Sequence, residues 1–261
     1  MKGWAVWVFP ILSMTAQSGG EKLIAHRGGI VDSRYPENSA ASLEAAIERG
    51  YWMAEIDVRE SKDGKLIVQH DPDFRRFYGV DRTVAGMTWN EISPLRAQPG
   101  NSRPLQFHEL AKLARNRIRL MIDTKEPSHP PAFYDEMERS LRENGLLESA
   151  FFIGTEESRI RFKGKAPIGV SREQLRAAMD RGEDCSRVYF LFEHGRTLDE
   201  AGLALAARAG VVAVVSVNIF HYDGGDHLKG ARADIERLRK AGMKYFQIDS
   251  VYDSWLLRSA Q

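Results

Sequence analysis

KLIAHRGGIVDSRYPENSAASLEAAIERGYWMAEIDVRE, residues 22–60, holds one complete strand–helix–strand unit. KLIAHRG reads as a strand, built on Leu23, Ile24 and Ala25. SAASLEAAIERG, residues 39–50, reads as a helix stopped by Gly50, and MAEIDVRE, residues 53–60, reads as the next strand. The first strand runs into His26-Arg27-Gly28-Gly29. A His-Arg pair is poor core material, so the tip of that strand is expected to need charge.

The same alternation continues along nearly the whole chain. KLIVQHD, residues 65–71, extends the second strand after an Asp63-Gly64 turn. Further strands are expected in IRLMIDTKE (118–126), AFFIGT (150–155), APIGVS (166–171), RVYFLFEHG (187–195), VVAVVSVNIF (211–220) and KYFQIDS (244–250). Helices are expected in FHELAKLARNR (107–117), PPAFYDEMERSLRENG (130–145) and, more weakly, EESRIRFKG (156–164). Two more carry capping-box patterns starting at Ser171 and Thr197. About eight strands in strand–helix alternation is the number that closes a barrel. Residues 72–104 break the alternation and read as an insertion after the second strand. Such insertions on the C-terminal side of barrel strands usually shape the active site.

Lys and Arg total 37 against 36 Asp and Glu, a net charge of +1 in 261 residues. That balance argues against nucleic acid as a partner but leaves room for a local cationic pocket. The lone Cys185 excludes an intramolecular disulfide and a cysteine zinc cage. Lys2 precedes the apolar run GWAVWVFPILSMTA, too short to span a membrane. Small residues Ala16 and Ser18 follow, so residues 1–18 are expected to be a signal peptide cleaved before Gly19, leaving residues 19–261 as one exported domain, periplasmic or secreted. The alternative is a cytoplasmic protein with an uncleaved apolar arm. Oligomeric state is not legible.

Glu55 and Asp57 are two apart on a strand, so their carboxylates share one face. Two acids pointing into a barrel mouth repel each other unless a cation lies between them, and oxygen-only ligands suit Mg²⁺ or Ca²⁺. Asp123 and Lys125 repeat the spacing on the third strand. Asp123 completes a carboxylate set, or pairs with a neighbouring strand. Lys125 is a phosphate contact, an ion-pair partner or the amine of a Schiff-base lyase. His26 and His70 stand at strand ends flanking the acids, where imidazoles can exchange protons near neutrality. Arg27 offers a planar fork for phosphate oxygens, and Glu37 an orienting carboxylate or merely a helix-start acid. After the seventh strand, Asn218, His221, Tyr222 and Asp223 are candidates for a pocket wall. A second metal site from His221, Asp223, Asp226 and His227 is the lesser reading there, a polar turn the greater. His108 and His129 are expected at the surface.

IAHRGG…PENS…AEIDVRESKDGKLIVQHD resembles the glycerophosphodiester phosphodiesterase family, and LMIDTKEP and KYFQIDS continue the likeness. It is dense over residues 23–71, recognisable to about 126 and thin beyond. The resemblance implies a (β/α)₈ TIM-type barrel with a small insertion after the second strand. It implies metal-dependent hydrolysis of a small-molecule glycerophosphodiester to glycerol 3-phosphate and an alcohol. By position it makes His26 and His70 the acid–base pair, Arg27 and Lys125 the phosphate contacts, and Glu55, Asp57 and Asp123 the metal carboxylates. The chain departs from the family where Asp123 stands for the usual Glu. Val215-Ser216-Val217-Asn218 replaces Trp-Thr-Val-Asn, and Asp249-Ser250-Val251-Tyr252 replaces the Thr-Asp-x-Pro ending. Other readings are a phospholipase of the sphingomyelinase D type, a Schiff-base lyase, and a binding protein that holds a phosphodiester without turnover.

Overall fold

A computed structural model describes residues 20–32, 34–98, 100–222 and 225–257. The expected signal segment and Asp223 lie outside these residues. Eight parallel strands close into a barrel: β1 (Lys22–Ala25), β2 (Met53–Glu60), β3 (Arg119–Thr124), β4 (Phe151–Phe152), β5 (Ile168–Val170), β6 (Tyr189–His194), β7 (Ala213–Val217) and β8 (Tyr245–Ile248). Each pairs with its sequence neighbour, and β8 returns to β1 with Leu23 opposite Phe246. Among the described residues seven helices wrap the barrel: α1 (Ala40–Glu48), α2 (Phe107–Ala114), α3 (Pro131–Glu143), α4 (Glu156–Phe162), α5 (Arg172–Asp180), α6 (Glu200–Arg208) and α7 (His227–Lys240). Among the described residues no helix is long and apolar enough to cross a membrane.

Strand parity sorts the side chains into two cores. Leu23 and Ala25, Ala54 and Ile56, and Leu120 and Ile122 belong to the large core that includes helix residues such as Leu43, Leu110 and Met137. The opposite parity builds a separate inner plug of Ile24, Met53, Met121, Phe151, Phe190 and Val214. One step of two residues further along the same strands, this inner face becomes polar. Ile24 is followed by His26, Met53 by Glu55 and Asp57, Met121 by Asp123, and Val214 by Ser216 and Asn218.

The segment after β2 is a hairpin, with Leu66–Val68 running antiparallel to the upper end of β2 and Val58 opposite Val68. Because β1 holds only Met53 and Ala54 of β2, the hairpin occupies the edge that β1 leaves unpaired. The insertion then folds over its own apolar cluster of Ile67, Phe74, Val84, Met87 and Ile92. It comprises a two-stranded ribbon and two one-turn helices, Arg75–Tyr78 and Trp89–Ile92. Leu105–Gln106 pairs back onto the hairpin strand and leads into α2.

Ser171 caps α5 with a complete capping box closed by Gln174. The second expected box does not form. α6 starts later, with Asp199 as its N-cap accepting from Gly202 N at 2.9 Å, while Thr197 Oγ1 donates to the His194 carbonyl. An aspartate two residues on offers a charged acceptor to the helix N–H groups, and it takes the cap. His108 is exposed as expected, but His129 is buried. Its ring stacks on Phe133 at 3.7 Å, with Nδ1 3.0 Å from Glu60 and Nε2 3.4 Å from Glu126. Burial lowers its affinity for a proton, but the two acids more than compensate and raise its pKa. Position at a helix start carries no hint of Glu60, which arrives from the end of β2.

Candidate active site

The C-terminal end of the barrel brings the predicted residues together. In the β2–β3 register Asp57 lies directly opposite Asp123, and Glu55 is one inward step below Asp57. Glu55, Asp57 and Asp123 each offer a carboxylate oxygen within 4.8 Å of the others. Burial, then the charge of Asp57, push Glu55 well above the ordinary carboxylate range. Asp57 is also buried, yet Lys125 and then His70 hold it below that range. Lys125 Nζ stands 2.7 Å from Asp57 Oδ1 and 2.5 Å from Asp123 Oδ2. Against its own burial, Asp57 and Asp123 hold Lys125 firmly protonated. That is the reverse of the neutral amine a Schiff base requires.

Three converging carboxylates, Glu55 and Asp57 buried and Asp123 half-buried, with a single nearby ammonium fit a hard divalent cation. Asp57 Oδ1 is buried beside Lys125 Nζ, with no aligned hydrogen-bond donor among the described residues. Its other oxygen accepts from Asn38 Nδ2 at 2.7 Å. Glu55 Oε2 accepts the Arg27 backbone N–H at 2.7 Å. The acids are thus aimed by fixed donors, leaving oxygens for an ion.

The first strand's tip is a short 3₁₀ turn, His26–Gly28, with Arg27 in left-handed backbone at φ 54°. Gly28 and Gly29 are required there. A Cβ on Gly28 would lie 2.6 Å from Asn38 Cα, and one on Gly29 2.0 Å from the Ser42 carbonyl oxygen. The turn aims the Arg27 N–H at Glu55 and its side chain at Glu37, whose Oε2 accepts from Nη1 at 3.1 Å. Glu37 therefore orients Arg27, one of its two expected uses. Arg27 Nη2 donates to His70 Nε2 at 3.2 Å. An arginine can only donate, so His70 Nε2 carries a lone pair in this arrangement. Burial, with Arg27 and Lys125 nearby, keeps the His70 pKa below its usual value despite Asp57 and Asp71.

Each histidine is braced by its own carboxylate, and neither brace is among the residues expected from the sequence. His26 Nδ1 lies 2.6 Å from Asp249 Oδ1, and His70 Nδ1 2.8 Å from Asp71 Oδ1. Asp71 is the next residue after His70, visible in QHDP to a reader who asks what orients the ring. Asp249 sits at the tip of β8 and has no local signal linking it to His26. Asn38, in PENS, is a third functional residue that spacing does not single out. Its backbone N–H bonds the Arg27 carbonyl at 2.8 Å, so one residue fixes both the turn and Asp57.

The far side of the mouth differs. Asp249 Oδ2 accepts the Ile219 N–H at 2.6 Å, tying the turn after β7 to the histidine brace. Ile219, Phe220 and Val251 are 45%, 52% and 48% exposed, and the Phe220 ring is 6.0 Å from His26. His221 stacks on His194 at 4.7 Å, and burial and its histidine neighbours depress its pKa to about 4. Asn218 is fully buried, with Oδ1 bonded to Ser216 and Nδ2 without an acceptor among the described residues. Tyr222 does not line the pocket; its hydroxyl turns to Asp234 on α7. Asp226 caps α7, and His227 Nδ1 lies 2.9 Å from the Tyr252 hydroxyl.

Comparison with known proteins agrees with this geometry. A likeness covers a "Probable glycerophosphodiester phosphodiesterase 2" of Mycobacterium tuberculosis, 29% identical over 51% of this chain and 49% of that protein. A "Lysophospholipase D GDPD1" of Homo sapiens is 33% identical over 28% of this chain and 23% of its own length. The chain spans about half the length, or less, of the curated relatives it matches. The crystal structure of a glycerophosphodiester phosphodiesterase from Agrobacterium tumefaciens shares the fold with a TM-score of 0.68 at 21% identity, covering 88% of this chain and 96% of that one. Residues 26–246 match the glycerophosphoryl diester phosphodiesterase family, and the chain belongs to it.

Proposed function

We propose that this chain hydrolyses glycerophosphodiesters to glycerol 3-phosphate and an alcohol. The observation that carries the reading is one barrel end on which three carboxylates converge beside two histidines, each braced by a carboxylate of its own. Glu55, Asp57 and Asp123 hold a divalent cation, Mg²⁺ or Ca²⁺. Such an ion, when bound, withdraws charge from phosphate oxygens. Arg27 and Lys125 supply fixed positive charge to the non-bridging oxygens. His70, unprotonated at Nε2, takes the proton of the attacking hydroxyl, and His26 gives one to the leaving alkoxide. Asp71 and Asp249 hold the two rings in the tautomers this exchange needs.

The test is a glycerophosphodiester panel with and without chelator, products identified. Chelator-sensitive release of glycerol phosphate, or of a cyclic phosphate, is expected. No such release from any diester overturns the reading, and tight diester binding without turnover under any divalent metal marks a binding protein instead.

The exposed Phe220 ring 6.0 Å from His26, with exposed Ile219 and Val251 on the turns after β7 and β8, favours a second reading, an amphipathic diester whose alkyl or acyl tail lies on that rim. A relative carries a lysophospholipase D name. Lysophosphatidylcholine against glycerophosphocholine as competing substrates separates the two. Export is part of the proposal, motivated by the apolar run after Lys2. Protein from its native host is expected to begin near Gly19, and an intact first segment on a cytoplasmic pool rejects it.

A further inference from the structure

We propose that Arg76, carried by the inserted segment, is a positioning residue that locks His70 and Arg27 in place through Asp71 and Glu37; the inference rests on the phosphodiesterase reading. Five side chains form a closed ring. Arg76 Nε donates to Asp71 Oδ2 at 2.7 Å, and Asp71 Oδ1 holds His70 Nδ1. Arg76 Nη2 donates to Glu37 Oε1, and Glu37 Oε2 accepts from Arg27 Nη1. Arg27 Nη2 closes the ring on His70 Nε2. Each carboxylate gives one oxygen to the site and the other to Arg76.

Charge and burial explain why arginine is needed. Glu37 is almost fully buried, and a buried carboxylate is costly unless paired on both oxygens. Glu37, His70 and Asp71 lie close enough to hold a metal ion. The two guanidiniums already bonded to them repel a cation, so this group is a neutralised brace. A lysine has one nitrogen and cannot reach two carboxylates with a fixed fork. The one-turn helix bearing Arg76 is anchored by the insertion's own cluster, where Phe74 packs edge-on against Tyr78 at 5.4 Å. Arg76 is thus a side chain by which the insertion reaches the groups that hold His70 and Arg27.

Arg76→Met, Arg76→Lys and the control Arg75→Met separate the outcomes. Arg75 sits on the same turn, and its side chain pairs with the exposed Asp81. Arg76→Met is expected to lower kcat/KM about 10- to 100-fold and to weaken glycerol 3-phosphate binding, read by calorimetry, about 10-fold. Arg76→Lys is expected to recover less than half of that loss on a logarithmic scale, and Arg75→Met to match the parent. If Arg76→Met unfolds, Arg76→Lys and Asp71→Asn carry the same comparison. An active parent whose Arg76 variants stay within twofold in both rate and product affinity overturns this inference alone. A parent that neither hydrolyses diesters nor binds glycerol 3-phosphate overturns the phosphodiesterase reading and this one with it.

Discussion

The barrel mouth has two unlike halves. On β1–β3 and the hairpin after β2 stand His26, Arg27, Glu55, Asp57, His70, Asp123 and Lys125, nearly all bonded to one another. On the turns after β7 and β8 stand exposed Ile219, Phe220 and Val251, with His221 stacked against His194 from β6. Likeness to the family is dense in the first half and thin in the second. Groups that break a phosphodiester must sit within tenths of an ångström of their targets, so they are tied down. Groups that accept a leaving alcohol need only shape and apolar surface, and they are free to vary. Under the proposed function the charged half fixes the chemistry and the apolar half selects the alcohol.

The most severe way to break this contrast is to remove a histidine. His26→Ala or His70→Ala is expected to lower turnover by about two to four orders of magnitude. Both stand at the mouth rather than in the apolar plug, so thermal unfolding should stay near the parent value. Near-normal rates in well-folded protein would strip the charged half of its role.

A milder perturbation is Asp123, where the chain leaves the family pattern. Aspartate reaches roughly 1.5 Å less far than glutamate. Mg²⁺ demands bonds of about 2.0–2.1 Å, whereas Ca²⁺ accepts about 2.3–2.6 Å. Asp123→Glu is expected to keep activity and shift preference toward Mg²⁺. Asp123→Ala should raise the metal concentration for half activity by about 10- to 100-fold, since an anionic contact is lost. Metal titrations of all three proteins decide it, and a parent-like curve for the alanine variant removes Asp123 from the ligand set.

On the apolar half the effects should be smaller and selective. Phe220→Ser with Ile219→Ser is expected to leave glycerophosphocholine hydrolysis within about threefold. Hydrolysis of a lysolipid should fall about tenfold, the worth of one or two buried methylene groups or slightly more. Equal losses on both substrates would mean the rim is structural.

The smallest change is expected at His221. With its pKa near 4, it is neutral across the working range. His221→Gln should therefore leave the pH profile of kcat/KM unchanged above about pH 5. His70, also depressed but bonded to Arg27 and Asp71, should set an acid limb below the usual histidine value of about 6.5. Activity falls as pH drops through this lowered His70 pKa, because protonation removes the lone pair. A limb that moves in the His221 variant would join the two halves into one titrating unit.

Much of the charged half is legible in the chain itself. Period-two spacing alone groups Glu55 with Asp57 and Asp123 with Lys125, because strand parity is local. His26 and His70 announce themselves as charge at strand ends. The braces do not, for different physical reasons. Asp249 meets His26 across 223 positions, and only barrel closure brings them together. Arg76 carries no local signal of its role, since only the insertion's fold aims it at Glu37 and Asp71. His129 reads as a helix-start residue, and its burial depends on Glu60 and Glu126 meeting it from either side. Partners chosen by tertiary closure leave no trace in spacing.

The contact between His26 and Asp249 also orders events in time. It joins the first strand of the barrel to the last, so it is among the most distant contacts in the chain. Contacts of such separation carry the largest loop-closure cost and depend on the elements between them. A chain still emerging from synthesis can hold both histidines, the metal carboxylates and the Arg27 turn, yet His26 has no partner until β8 docks. On the proposed reading, catalytic competence then arrives with the last strand, when β8 brings Asp249 to His26.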